Sequence, residues 1–118
     1  MIHIDEYMKS LPHSINLLVT GVNNFDDYEL FYKEVSCMCQ ELESMGFDIT
    51  IISGGGPGTD SFAKEFSQRA KLKFNQFESE MVDMAHLAIF FWDGKDTGVS
   101  DIIRKSHTRG IFSKVVVL

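Results

Sequence analysis

Cysteine is scarce in this chain, cations are scattered, and no apolar run is long; each shortage excludes a class of function. Among 118 residues only Cys37 and Cys39 carry thiols. On a helix, side chains two residues apart point about 200° away from each other, so these thiols neither pair together nor share a metal. His3, His13, His86 and His107 show no ligand spacing, and a CxC pair without a second Cys/His cluster is poor evidence for zinc. No metal and no cofactor are expected. Lys and Arg number 11 against 17 Asp and Glu, and with no block of cations there is no basic face for nucleic acid or a membrane surface. No apolar stretch reaches spanning length and no signal peptide is evident; with reduced thiols, this points to the cytosol. Repeats and low-complexity segments are also lacking. What remains is ordinary globular material, 44% hydrophobic and 24% charged, enough for one domain with a modest core.

Residues 1–14 are polar and mixed and read as an N-terminal arm, with residues 15–118 as the domain. Ile15 to Thr20 is nearly continuous in apolar residues and stops at Gly21, as expected of a strand covered on both faces. A helix follows, capped by Asp26 or Asp27, with Tyr28, Phe31, Val35, Met38, Leu42 and Met45 spaced three and four apart and Gly46 as its terminator. Asp48 to Ile52 is the second strand, Thr59 to Leu72 a helix, and Lys73 to Phe77 a short strand near an edge. Ser79 to Met84 is a brief helix, Leu87 to Trp92 an apolar strand, Gly98 to Arg109 a helix, and Lys114 to Leu118 the last strand. This alternation predicts an α/β fold: one Rossmann-like three-layer α/β/α domain around a five-stranded parallel sheet.

In such sheets ligands sit beyond the carboxyl ends of the strands. Three post-strand loops therefore share one rim: Gly21 to Asp26, Ser53 to Thr59, and Asp93 to Gly98. All are rich in Gly, Asn, Asp, Ser or Thr, and the opposite ends are not. The most suggestive is Ser53-Gly54-Gly55-Gly56-Pro57-Gly58-Thr59-Asp60. A strand, a glycine turn and a helix start in that order form a cradle in which backbone N–H groups approach an anion such as phosphate. The competing reading is a tight turn that binds nothing. No Gly-Lys-Ser/Thr follows, so this is not a Walker A loop, and Gly55-x-x-Gly58 is too short for the dinucleotide fingerprint.

Taken together, these loops resemble the small members of the SLOG superfamily. That Rossmann-like group includes the LOG ("Lonely Guy") nucleotide phosphoribohydrolases and the DNA-processing protein DprA, and its YspA-type branch is the nearest likeness. That branch has Gly-x-Arg-x-Phe-x-Asp-Tyr after strand one and Ser-Gly-Gly-x-x-Gly-x-Asp after strand two. An Arg-Asn-x-x-Met segment and a Phe-Trp-Asp-Gly-x-Ser-x-Gly-Thr loop come later. Here the matching stretches are Gly21 to Tyr28, Ser53 to Asp60, Met81-Val82-Asp83 and Phe91 to Val99, so the likeness runs from about Asn16 to Leu118. It implies a nucleotide or nucleotide-derived ligand, such as a mononucleotide, an ADP-ribose-like compound or a cyclic signalling nucleotide. It also implies a homodimer or higher homo-oligomer, and roles in sensing or processing such molecules, including in phage–host conflict. The small size fits a phage or mobile-element origin.

The departures from the pattern bear on chemistry. The branch's loop-one Arg falls on Asn23 and its Arg-Asn pair on Phe77-Glu78. In LOG-type enzymes an Arg and a Glu are tied to cleavage of the N-glycosidic bond, and their places correspond to Phe77 and Ile102. That cleavage needs a carboxylate to stabilise the ribosyl cation or activate water, so two apolar replacements argue against it. No catalytic residue is assigned. The candidate ligand-binding residues are Gly21, Asn23 and Asn24; Ser53, Gly54, Gly55, Gly56, Gly58, Thr59 and Asp60; and Asp93, Gly94, Lys95, Thr97 and Gly98.

Several of these carry a second reading. Asn23 and Asn24 either hydrogen-bond a sugar or base or form a left-handed turn. Asp60 is a helix cap or a ribose acceptor. Asp93 and Asp96 are turn formers or an unconventional acid and base. Lys95 is a phosphate contact or a solvated side chain. Trp92 is a stacking surface or core. The reading that follows is a binding module that senses or sequesters a nucleotide. The alternatives are a LOG-type N-glycosidase using Asp93, Asp96 or Asp101, and an assembly protein with a vestigial site whose Leu87–Trp92 strand and aromatic helices support a dimer face.

Overall fold

A computed structural model describes residues 4–77 and 81–118 of the chain. Five parallel strands, β1 (Ser14–Gly21), β2 (Asp48–Ser53), β3 (Lys73–Gln76), β4 (Leu87–Trp92) and β5 (Phe112–Val117), lie in the order β3-β2-β1-β4-β5. Five helices accompany them: α1 (Ile4–Lys9), α2 (Tyr28–Ser44), α3 (Thr59–Ala70), α4 (Met81–Met84) and α5 (Thr97–Thr108). This is the doubly wound Rossmann-like order without a sixth strand, and the expected α/β class and five-stranded parallel sheet are observed.

Register explains why the strands read as continuous apolar runs. Leu17 of β1 lies beside Ile51 of β2 and Leu87 of β4, and these point to the face covered by α2 and α3. Leu18 lies beside Ile52 and Ala88, which point to the face covered by α4 and α5. Successive side chains alternate between two buried faces, so no position of a central strand is free to be polar without a partner. On the first face Phe91 is stacked between Phe25 and Phe31, with ring centroids 5.1 and 5.2 Å away, and Phe62 meets Phe31 edge-on at 5.6 Å. Burying a ring such as Phe31 contributes about 2 kcal/mol. Through Phe25 this cluster also anchors the loop that follows β1.

Local signals set most helix ends. Asp27 caps α2, accepting from the Leu30 amide at 3.1 Å, and Asp96 caps α5, accepting from Val99 at 3.0 Å. Of the α2 stripe, Phe31, Val35 and Leu42 are buried, Cys39 joins them, and Met45 falls at the exposed C-cap. The helix after β2 ends at Ala70, with left-handed Lys71 as C-cap, and β5 begins at Phe112 rather than Lys114. The brief helix starts at Met81; Ser79 and Glu80 lie outside the described residues.

Part of the segment before β1 packs on the domain. Met8 joins the core, and the Tyr7 hydroxyl donates to the His86 carbonyl at the start of β4. One expectation needs correcting. β4 cannot supply a dimer face, because it runs between β1 and β5 with Leu87 to Phe91 all buried. The sheet's outer strands are β3, short and polar, and β5, whose Lys114 is held by Glu34 at 2.6 Å.

Candidate functional site

Strand order reverses at β1, whose connection leads to β2 on one side while β4 lies on the other. Loops leaving β1 and β4 therefore diverge and leave a crevice between them. A cleft of about 340 Å³ occupies that position. Its polar side is formed by Thr20, Gly21, Asn23, Asp60 and the backbone of Gly54, Gly55 and Gly56, with Asp96 and Gly98 at the start of α5. Its apolar side is formed by Phe77, Met81, Val99 and Ile102.

Loop one is fixed by hydrogen bonds that cross the sheet end. The Val22 amide donates to the Phe91 carbonyl at 3.0 Å, and the Val22 carbonyl accepts from the Thr59 amide at 3.3 Å and the Thr59 hydroxyl at 2.9 Å. This brings Asn23 against the glycine loop, where Gly58 packs on its backbone. Gly58 has φ 68° and ψ −121°, and a Cβ there would lie 2.5 Å from the Asn23 carbonyl carbon and 2.8 Å from the Val22 oxygen. Only glycine tolerates that combination.

Asp60 is neither the helix cap nor a side chain pointing freely outward. Gly58 is the N-cap of α3 and makes no side-chain cap bond. The Asp60 carboxylate lies under the glycine loop: Oδ1 accepts from the Thr20 hydroxyl at 2.7 Å and lies 3.0 Å from the Ser53 hydroxyl, and Oδ2 accepts from the Gly56 amide at 3.3 Å. Ser53 also donates to the Val19 carbonyl at 2.6 Å. Asp60 therefore ties together the ends of β1 and β2 and the glycine loop.

The loop after β4 is held differently. Asp93 accepts from the Lys95 and Asp96 amides at 2.9 and 2.8 Å, and those N–H groups hold its carboxyl below the ordinary aspartate range. Trp92 donates through Nε1 to the Asp96 carbonyl at 3.0 Å, pinning the loop to the core; it does not line the cleft.

Of the residues singled out from sequence, the structure brings Gly21, Asn23, Gly54, Gly55, Gly56, Asp60 and Gly98 together around the cleft. Ser53 and Thr59 are fully buried and bonded within the chain. Gly58 packs on loop one, and Asn24, Asp93, Gly94, Lys95 and Thr97 are exposed outside the lining. Neither Asn23 nor Asn24 has a positive φ, so neither forms a left-handed turn.

Thr20 lines the cleft without having been singled out. Asp96, read as a turn former or an unconventional acid or base, lines it too, as do Met81, Phe77, Val99 and Ile102, which were named only in the resemblance and not among the ligand-binding candidates. Thr20 carried a legible signal, being the one hydroxyl in an otherwise apolar strand end. Val99 and Ile102 are three apart on α5 and share one face.

Among the described residues no group of three His, Cys, Asp or Glu is placed to hold a metal ion, and no helix is long and apolar enough to cross a membrane. Cys37 and Cys39 are free thiols; burial, aided by the charge of Glu43, pushes Cys39 up to about 12, which keeps it protonated and inert. No protein-family model, curated protein or solved structure matches this chain.

Proposed function

We propose that the chain is a cytoplasmic binding module for a nucleoside or mononucleotide, which it senses or sequesters without cleaving the glycosidic bond. The observation that supports this most is the convergence of three strand-end loops on one cleft that also has an apolar wall. Phe77, Met81, Val99 and Ile102 suit the face of a base, and Asn23, Asp60 and the loop backbone suit the hydrogen-bonding groups of a sugar. A volume near 340 Å³ is at the lower end for small-molecule sites and favours one nucleoside unit over an ADP-ribose-like compound. The resemblance to the SLOG superfamily points to the same ligand class, and adds self-association into a dimer or larger assembly, which light scattering would measure.

Against hydrolysis stand Phe77 and Ile102, which correspond to the Arg and Glu of LOG-type enzymes and which both line this cleft. The three carboxylates considered for catalysis are engaged elsewhere: Asp96 caps α5, Asp93 closes a turn and Asp101 pairs with Arg104.

Thermal denaturation with nucleosides, their 5′-monophosphates, cyclic nucleotides and ADP-ribose, followed by chromatography of the added compound, tests the reading. A ligand at a hundred times its Kd stabilises the native state by about 2.7 kcal/mol, a shift of several degrees. We expect such a shift from at least one nucleoside-sized compound, recovered intact. Release of free base would make the protein an N-glycosidase instead. No shift from any of them would remove the reading altogether.

A further inference from the structure

We propose that the glycine loop receives an uncharged, donor-bearing end of the ligand, the ribose diol of an unphosphorylated nucleoside, and rejects a phosphate. This rests on the reading of the cleft as a nucleoside or mononucleotide site. The loop already holds an anion, and the anion belongs to the chain. The Gly56 amide donates to Asp60 Oδ2, and the Thr20 hydroxyl donates to Oδ1. The space beside two of the glycines is also taken by this carboxylate: a Cβ on Gly54 would lie 2.7 Å from Asp60 Oδ2, and one on Gly56 3.2 Å from the same atom, while the space beside Gly55 is taken by the Gln76 side-chain amide.

Charge argues the same way. Among the described residues of the lining, Asp60 and Asp96 are the charged ones, and none is Lys or Arg. Residues 78–80, which follow Phe77 in sequence, are Glu, Ser and Glu and add no cation. A phosphate monoester brings a charge of about −1.5 to −2 at neutral pH. Beside a fixed carboxylate that charge is repelled, and because the cleft opens to solvent, added salt weakens the repulsion. A hydroxyl pair meets the opposite situation. An ionised carboxylate accepts at about four lone-pair positions, and among the described residues Asp60 Oδ2 has one amide donor, at 3.3 Å. A vicinal diol donates to such an oxygen without adding charge.

Isothermal titration of the whole protein with adenosine, guanosine, cytidine and uridine, their 2′-deoxy forms and their 5′-monophosphates tests this. At low salt we expect at least one ribonucleoside to bind, with its monophosphate at least tenfold weaker and its deoxy form weaker as well. The gap between nucleoside and monophosphate should shrink when sodium chloride is raised, and shrink again in Asp60→Asn. If that variant does not fold, the salt series on the unaltered protein carries the test. A monophosphate that binds as tightly as its nucleoside, or more tightly, overturns the proposal while leaving the site assignment standing. Binding by none of these compounds would instead sink the site assignment on which it rests.

Discussion

The loop after β2 and the loop after β4 use the same residue types, yet different forces hold them. Between Trp92 and Val99 the side-chain hydrogen bonds span two to four residues: Asp93 to Lys95 and Asp96, Asp96 to Val99, Trp92 to Asp96. The segment closes on itself, and Gly94 at its tip has open space around it. The glycine loop depends on distant residues. Asp60 reaches Thr20 forty positions away, and Thr59 reaches Val22 thirty-seven positions away. Gly58 fits only because its missing side chain makes room for loop one. The first arrangement is a turn that a short peptide can favour by itself. The second exists only when the sheet has formed, and it is the one that shapes the cleft. Dependence on distant partners, more than glycine content, separates the two.

Substitution of the two positive-φ glycines should separate the loops most widely. Gly58→Ala forces a Cβ into the loop-one backbone and is expected to cost about 4 kcal/mol, a large share of the stability of a small domain. Gly94→Ala, with φ 80° and no neighbour within 4 Å, should cost about 1 kcal/mol. Equal denaturant midpoints for the two variants would erase the contrast.

The carboxylates come next. Asp60→Ala strips the Thr20 hydroxyl and the Gly56 amide of their acceptor and is expected to cost about 3 kcal/mol. Asp96→Ala removes one helix cap and should cost about 1 kcal/mol. Urea denaturation of both variants measures the difference, and an Asp60 variant as stable as the Asp96 variant would mean the long-range tie is weak.

The smallest effect is in pH. Backbone donors lower the Asp93 carboxyl in the folded state, so its contribution is present above the ordinary aspartate range and is lost as pH falls through the depressed folded value. An NMR titration should place the Asp93 midpoint below that of an unstructured aspartate, and Asp93→Ala should make the acid side of the stability curve slightly flatter. An unshifted midpoint would show that the turn is not closed in solution.

What was legible in the sequence follows the same division. Strands β1, β2 and β4 were readable because burial on both faces leaves mostly apolar residues between turn signals. The caps of α2 and α5 and the converging loops were readable because local chemistry fixes them. Asp60 was not, since nothing near it in sequence announces Thr20 or Gly56 as donors to a carboxylate beneath the loop. The glycine run reads in sequence as a cradle for an anion, whereas only Gly58 of that run has a positive φ and the space above Gly54 and Gly56 is taken by Asp60. Met8 was missed because the few apolar residues of a mixed, polar stretch keep no sustained period; Tyr7 and Leu11 pack against the same core, and the Tyr7 hydroxyl donates to the His86 carbonyl.

A carboxylate lodged beneath the glycine loop also bears on timing. Loops that cradle an anion often stiffen when the guest arrives, and association then waits on their rearrangement. Here the chain supplies its own acceptor for the Gly56 amide, so under the proposed function that amide would need no guest to be satisfied. Capture at this cleft would then be paced by collision, and the entropy of arranging the loop would already have been spent during folding.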